Sequence, residues 1–265
     1  MIIDSHCHAS ERWYEPVEIL IQQMERNGVG AAVLVQMLGS FDAGYMVEAA
    51  ARFEGRFAIV GSVRVEAEDA CARLGAVADT LDGIRLRPSS RSPGPDPLAI
   101  WRCAGDLGLP VSCVGTAADF ADPAFARLIE QLPQLVIVLE HFGGLARPDV
   151  GDRDAIAGSI LALGAHPNLH LKLTGLGQLA PRLPDLDDAA DIPLDLGSAP
   201  ALIEDVIAAF GPERIMWGSD FPPVAAREGY ANALAWPRAK LSHHSQAAIE
   251  AIFGGTARRI FFSGR

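Results

Sequence analysis

The chain has 265 residues, 49% of them hydrophobic and 21% charged, enough to bury a large core. Its 22 Lys and Arg against 33 Asp and Glu give a formal charge of −11, which repels polyanions and excludes a nucleic-acid partner. No apolar run reaches the ~18 residues of a membrane span, no signal-peptide pattern opens the chain, and Cys7, Cys71, Cys103 and Cys113 form no dense framework, so the expectation is a cytoplasmic protein without a membrane partner.

Along the chain, short β-branched runs predict strands over residues 2–5, 31–36, 57–63, 83–87, 110–114, 135–140, 169–174 and 214–219. Each is followed by an amphipathic or Ala/Leu-rich stretch. Residues 16–26 place Val17, Ile19, Leu20 and Met24 on a helical period, with Asn27 and Gly28 as the stop. Asp122 and Pro123 supply an N-cap and first-turn proline for a helix through Glu130. The strand starts lie 29, 26, 26, 27, 25, 34 and 45 residues apart. A repeat of about 26 residues is one βα unit, and eight such units predict a (β/α)8 TIM barrel that uses residues 1–265 as one domain.

The widest interval holds a polar insertion over 181–200 with five aspartates, read as a loop over one barrel face, either a lid or a solvated connector. Just before it, Gly175, Gly177 and Ala180 mimic a dinucleotide-binding turn. Pro181 and Pro184 then deny that turn the helix on which a pyrophosphate would rest.

Barrel enzymes carry their chemistry at the carboxyl ends of the strands. The first strand ends in DSHCH, and alternation puts His6 and His8 on one face with Asp4 behind them. Two neutral imidazoles so placed can bind a metal ion or hydrogen-bond a carbonyl. The sixth strand delivers His141 ahead of Phe142, Gly143 and Gly144, and the eighth delivers Asp220 within WGSDFPP, a candidate general base. The fourth strand offers Arg85 and Arg87, forks for a substrate carboxylate or partners in a salt bridge inside the barrel. Arg64 at the end of the third strand can join them, and Gln36 forms a polar wall. On the seventh strand His170 enters early and reads as structural, while Lys172 and Thr174 lie nearer the rim; Lys172 polarises an oxygen or pairs with Asp220. His166 reads as a connecting-turn residue, His243 and His244 as the start of a surface helix, and Cys113 as core filler. No serine-esterase elbow and no P-loop occurs.

The DSHCH, EHFGG and WGSDFPP segments, in order at three strand ends, resemble the amidohydrolase superfamily, in the branch of amidohydrolase family 2 that includes sugar lactonases, 2-pyrone-4,6-dicarboxylate lactonase and, more distantly, decarboxylases. The resemblance spans the whole chain. It implies a barrel hydrolase in which His6, His8, His141 and Asp220 are catalytic; position at the strand ends adds Arg85, Arg87, Arg64 and Lys172 as candidate substrate-binding residues. Family members with a firmly bound metal offer a fifth-strand histidine, yet none stands between His8 and His141, and the lysines are Lys172 and Lys240 alone, too late to bridge a metal pair from the fourth strand.

One divalent ion (Zn2+ or Mn2+) on His6, His8 and Asp220, or a metal-free site, both satisfy this set. The expected reaction is opening of a small lactone or related cyclic ester, with Asp220 activating water and the imidazoles stabilising the oxyanion. The same groups would serve a lactone isomerase or a non-oxidative decarboxylase, and a catalytically silent ligand-binding barrel is the remaining alternative. The partner is a small molecule; a homo-oligomer is left open.

Overall fold

The computed structural model describes residues 1–147, 150–179 and 199–263. Eight parallel strands follow one another around a single sheet: β1 (Ile2–Cys7), β2 (Val29–Val35), β3 (Phe57–Gly61), β4 (Gly83–Leu86), β5 (Val111–Cys113), β6 (Ile137–Leu139), β7 (Leu169–Leu173) and β8 (Ile215–Trp217). The ring closes between β8 and β1, where Asp220 N donates to His6 O and His8 N donates to Phe221 O, each at 2.8 Å. This is a (β/α)8 barrel. The helices are α1 (Val17–Arg26), α2 (Gly44–Arg52), α3 (Ala70–Val77), α4 (Ala99–Asp106), α5 (Ala117–Ala121), α6 (Pro123–Gln131), α7 (Arg153–Ala162), α8 (Ala199–Phe210), α9 (Tyr230–Lys240), α10 (Gln246–Glu250) and α11 (Thr256–Phe261). The Asp122 carboxylate caps α6 by accepting from Ala124 N, with Pro123 in its first turn. Most of the expected insertion over 181–200 lies outside the described residues.

Strand alternation sorts the apolar residues into two cores. Ile3, Ala31, Val33, Val35, Ala58, Val60, Val138 and Met216 point into the barrel, where Ala257 and Phe261 of α11 join them. Their neighbours Ala32, Leu34, Phe57, Ile59, Ile137, Leu139, Ile215 and Trp217 face the helices. By the same parity, Arg85, Ser112 and Lys172 point inward, whereas Cys113 belongs to the helix-facing core, as expected of a filler. In β1 the parity slips: Asp4 pairs with Ala32 and Cys7 with Leu34, so one extra residue bulges out of register. Such a bulge bends the strand and re-aims a side chain, here at His6.

Gly144 shows how closely the elements approach. Its φ is +77°, and a Cβ there would collide with the backbone of Thr116 and Ala117 at the start of α5. Gly151 has a similar φ of +73° with open space around it. Gly144→Ala is expected to destabilise the fold by about 1–3 kcal/mol more than Gly151→Ala in urea denaturation, since both carry the φ penalty and only the first overpacks. Equal losses would show that the approach to α5 is loose.

Candidate active site

The carboxyl ends of β1, β6 and β8 bring three imidazoles to one carboxylate. His6 and His8 are buried and His141 is half-buried; the ring centroids of His8 and of His141 each lie 4.9 Å from that of His6. Asp220 Oδ1 stands 3.8 Å from His6 Nε2 and 3.7 Å from His8 Nε2. Ligating atoms of His6, His141 and Asp220 all fall within 4.8 Å of one another. Two of the residues are held by strained backbone, since His141 and Asp220 have φ of 49° and 61°, the left-handed region that side chains other than glycine seldom adopt. Gly218 makes room: a Cβ there would strike His6 and Thr174.

Hydrogen bonding determines which nitrogens face the carboxylate. His8 Nδ1 lies 2.7 Å from Val35 O, and because a carbonyl can only accept, that nitrogen carries the proton. That leaves Nε2 as the His8 nitrogen turned toward Asp220. Tyr14, which the sequence reading did not single out, stacks on the His8 ring at 5.1 Å. His6 Nδ1 lies 3.2 Å from Lys172 Nζ, which also donates to Ser112 Oγ at 2.8 Å. A charged Lys172 donates to Nδ1 and leaves the proton on Nε2; a neutral one accepts from Nδ1–H and frees the Nε2 lone pair. Burial pulls Lys172 down to about 8 against the attraction of Glu140. Burial likewise pushes His6 well below the usual imidazole range and lowers His141, so both rings favour the neutral form.

Burial would raise the Asp220 carboxyl, but His8, His141 and Arg227 outweigh it and hold it below the usual range. Arg227, another residue not singled out from sequence, donates from Nη2 to Asp220 Oδ2 at 2.8 Å and from Nε to Glu228 Oε2 at 3.3 Å. Glu228 in turn accepts from Gly177 N at 3.0 Å, fastening the loop after β7 to the loop after β8.

Beneath the histidines runs a buried charge network. Arg85 Nε donates to Glu140 Oε1 at 3.0 Å, its Nη2 to Oε2 at 2.5 Å, and its Nη1 to Gln36 O at 2.8 Å; Ser112 Oγ donates to Glu140 Oε1 at 2.7 Å. Of the two roles open to Arg85, the structure shows the salt bridge inside the barrel. Arg87 does not share its face, because β4 ends at Leu86 and the Arg87 side chain is exposed. Arg64 is also exposed, its guanidinium 4.5 Å above the Phe41 ring. Lys172 pairs with His6 and Ser112, and the cation on Asp220 is Arg227. His170 lies deep and buried, as expected, and His243 and His244 sit in the turn ahead of α10 instead of starting it.

A family model described as amidohydrolase matches residues 3–262. The chain belongs to the amidohydrolase family. It is 30% identical over 248 residues to an L-fucono-1,5-lactonase of Burkholderia ambifaria, a match covering 83% of this chain and 80% of that one. Its fold is similar to that of an amidohydrolase from Burkholderia multivorans with bound zinc (TM-score 0.75, 23% identity, 99% of each chain). It is also similar to that of a putative 2-pyrone-4,6-dicarboxylic acid hydrolase from Pseudomonas putida (TM-score 0.74, 24% identity, 98% of this chain and 97% of that one). The chain is thus an amidohydrolase-superfamily hydrolase of lactonase-like character. Among the described residues no helix is long and apolar enough to cross a membrane.

The Arg85–Glu140 pair sets an acid limit on stability. Burial favours the protonated acid, yet Arg85 and Lys172 hold the Glu140 carboxyl down to about 2, below its ordinary 4.5. Because the folded value is the lower one, the pair's contribution is complete above about pH 4.5 and is lost as the pH falls toward 2. Glu140→Gln leaves Arg85 uncompensated and is expected to cost about 3–5 kcal/mol at neutral pH while flattening the acid limb in denaturation series. An acid limb as steep as that of the unaltered protein would show that Glu140 does not carry it.

Proposed function

We propose that this amidohydrolase opens the lactone of a small polyhydroxylated acid by hydrolysis. The observation that carries the reading is the convergence of His6, His8 and His141 on Asp220 at the barrel mouth. A lactone carbonyl needs donors where its oxygen becomes an oxyanion and a base beside the attacking water. This arrangement has both. The likeness to an L-fucono-1,5-lactonase supports a sugar-derived lactone over other cyclic esters.

The residues also fit a single divalent ion. His6 Nε2 is buried with no hydrogen-bond partner among the described residues, and His8 Nε2 faces the same carboxylate oxygen across 3.7 Å. A nitrogen and a carboxylate oxygen at that separation leave room for a cation or a proton between them. His6, His141 and Asp220, whose ligating atoms cluster, would hold the ion, with His8 Nε2, 3.7 Å from Asp220 Oδ1, beside them, and oxygen and imidazole donors suit Zn2+ or Mn2+. When bound, such an ion supplies Lewis-acid polarisation and acidifies water. A similarly folded amidohydrolase from Burkholderia multivorans holds zinc, which supports a divalent ion as the candidate here.

The chain's own groups account for the proton movements. Asp220, kept ionised by His8, His141 and Arg227, takes a proton from water as the water oxygen bonds to the lactone carbonyl carbon. The ring C–O bond then breaks, and the same proton passes to the departing alkoxide, leaving an open hydroxy acid. Arg227, with its Asp220 contact at 2.8 Å, fixes the carboxylate so that Oδ1 stays turned to the histidines. Arg85, engaged by Glu140, props the floor of the site, while the exposed Arg64, stacked on Phe41, and the exposed Arg87 would attract an acidic product or substrate. Lys172 acts through His6 by selecting its tautomer.

Asp220→Asn is expected to lower kcat for sugar lactones by on the order of 10²–10⁴-fold with native circular dichroism, measured by acid release in a pH-indicator assay. Near-normal turnover would remove Asp220 as the base. Mass analysis checks the reaction class, since hydrolysis adds one water and decarboxylation loses carbon dioxide. Treatment with a chelator is expected to abolish turnover and added Zn2+ or Mn2+ to restore it; full activity in metal-stripped protein would make the imidazoles sole carriers of the oxyanion.

A further inference from the structure

A second convergence of imidazoles on a carboxylate lies outside the barrel. Glu204 is on α8, and His243 and His244 occupy the turn between α9 and α10. His243 Nε2 is 3.3 Å from Glu204 Oε1, and His244 Nε2 is 2.9 Å from Oε2. The rings stand 4.4 Å apart, and one ligating atom from each residue falls within 4.8 Å of the others. Among the described residues no lysine or arginine pairs with Glu204, so its oxygens face the two imidazoles alone. The nearby hydroxyls are committed elsewhere, Ser242 Oγ to Ala239 O and Ser245 Oγ to Ala248 N. The side chains of Glu204 and His243 are 43% and 62% exposed, which leaves the cluster open to solvent for entry of an ion and for water to complete its coordination.

We propose that Glu204, His243 and His244 form a surface binding site for a divalent ion of the Zn2+ class, clipping α8 to the turn after α9. Two imidazoles and a carboxylate are a borderline-soft set that suits Zn2+, Co2+, Ni2+ or Cu2+ and disfavours Mg2+ or Ca2+, which take oxygen donors. Three protein ligands plus water satisfy tetrahedral Zn2+. The ion replaces two N–H···O contacts with coordination to the same three side chains, so little has to move. Because α9 carries the chain from the mouth back toward the amino end of the barrel, the clip is separate from the catalytic groups and acts on stability.

Equilibrium dialysis of the full chain against Zn2+ alone, followed by elemental analysis, tests this. The H243A/H244A variant is expected to bind one equivalent fewer than the unaltered protein, whether or not the barrel mouth takes an ion, and to keep the full lactone-hydrolysing rate. E204Q, which preserves both imidazoles and the shape of the carboxylate, is expected to weaken that equivalent about tenfold or more, and Zn2+ is expected to raise the melting temperature of the unaltered protein more than that of either variant. Binding isotherms for H243A/H244A, or for E204Q should the double variant fold poorly, that superimpose on the unaltered protein would overturn the proposal.

Discussion

The site depends on one buried carboxylate that does no chemistry. Asp4 accepts from Ser219 N at 2.8 Å, Ser219 Oγ at 2.6 Å, Tyr230 OH at 3.0 Å and His6 N at 3.1 Å. Those donors come from β1, the segment after β8 and the start of α9. Asp4 therefore ties the two ends of the barrel sheet at the point where the ring must close. His6 follows it by two residues and Asp220 follows Ser219 by one, so their approach to 3.8 Å is set by this junction. Burial raises the Asp4 carboxyl even against four hydrogen bonds, a measure of how dry the junction is.

From that junction the remaining charges are arranged so that none is buried alone. Arg85 and Lys172 bring two positive groups into the barrel, and Glu140 accepts from Arg85 directly and reaches Lys172 through Ser112. Above them Asp220 is balanced by Arg227, which Glu228 steadies. An isolated buried charge costs several kcal/mol, so these chains of contacts are what allow polar groups in a barrel otherwise filled by Val, Ala and Ile. The overall −11 belongs to the exterior. Within the mouth, Lys172, Arg85 and Arg227 offset the acids, so the field at the site is local.

The strands were legible because each is buried on both faces and reads as a short β-branched run, and because the repeat near 26 residues leaves room for one helix. The histidines and Asp220 were legible because glycines and prolines after a strand mark its carboxyl end. Contacts between strands were not. Arg85 and Glu140 are 55 residues apart and Lys172 and His6 are 166 apart, and no local pattern reports such pairs. Glu140 was hidden in plain view: it stands next to His141, and the inward parity of Val138 on β6 extends to it. Arg227 had no signal, since it lies in an irregular loop without periodicity. Arg87 shows the reverse error, where alternation was carried one residue past the end of a strand.

The strained residues connect these observations. His141 and Asp220 occupy left-handed backbone although neither is glycine, and such conformations cost on the order of 1–3 kcal/mol each. A strand that simply continued would alternate its side chains between barrel interior and helices. The left-handed positions lie beyond the ends of β6 and β8, where His141 and Asp220 meet His6, while Phe142 and Phe221 remain buried in the surrounding core. His8 Nε2 and Asp220 Oδ1 lie 3.7 Å apart across the same mouth. His141 and Asp220 thus keep their strained backbone beside the Asp4 junction, which joins β1 to the segment after β8.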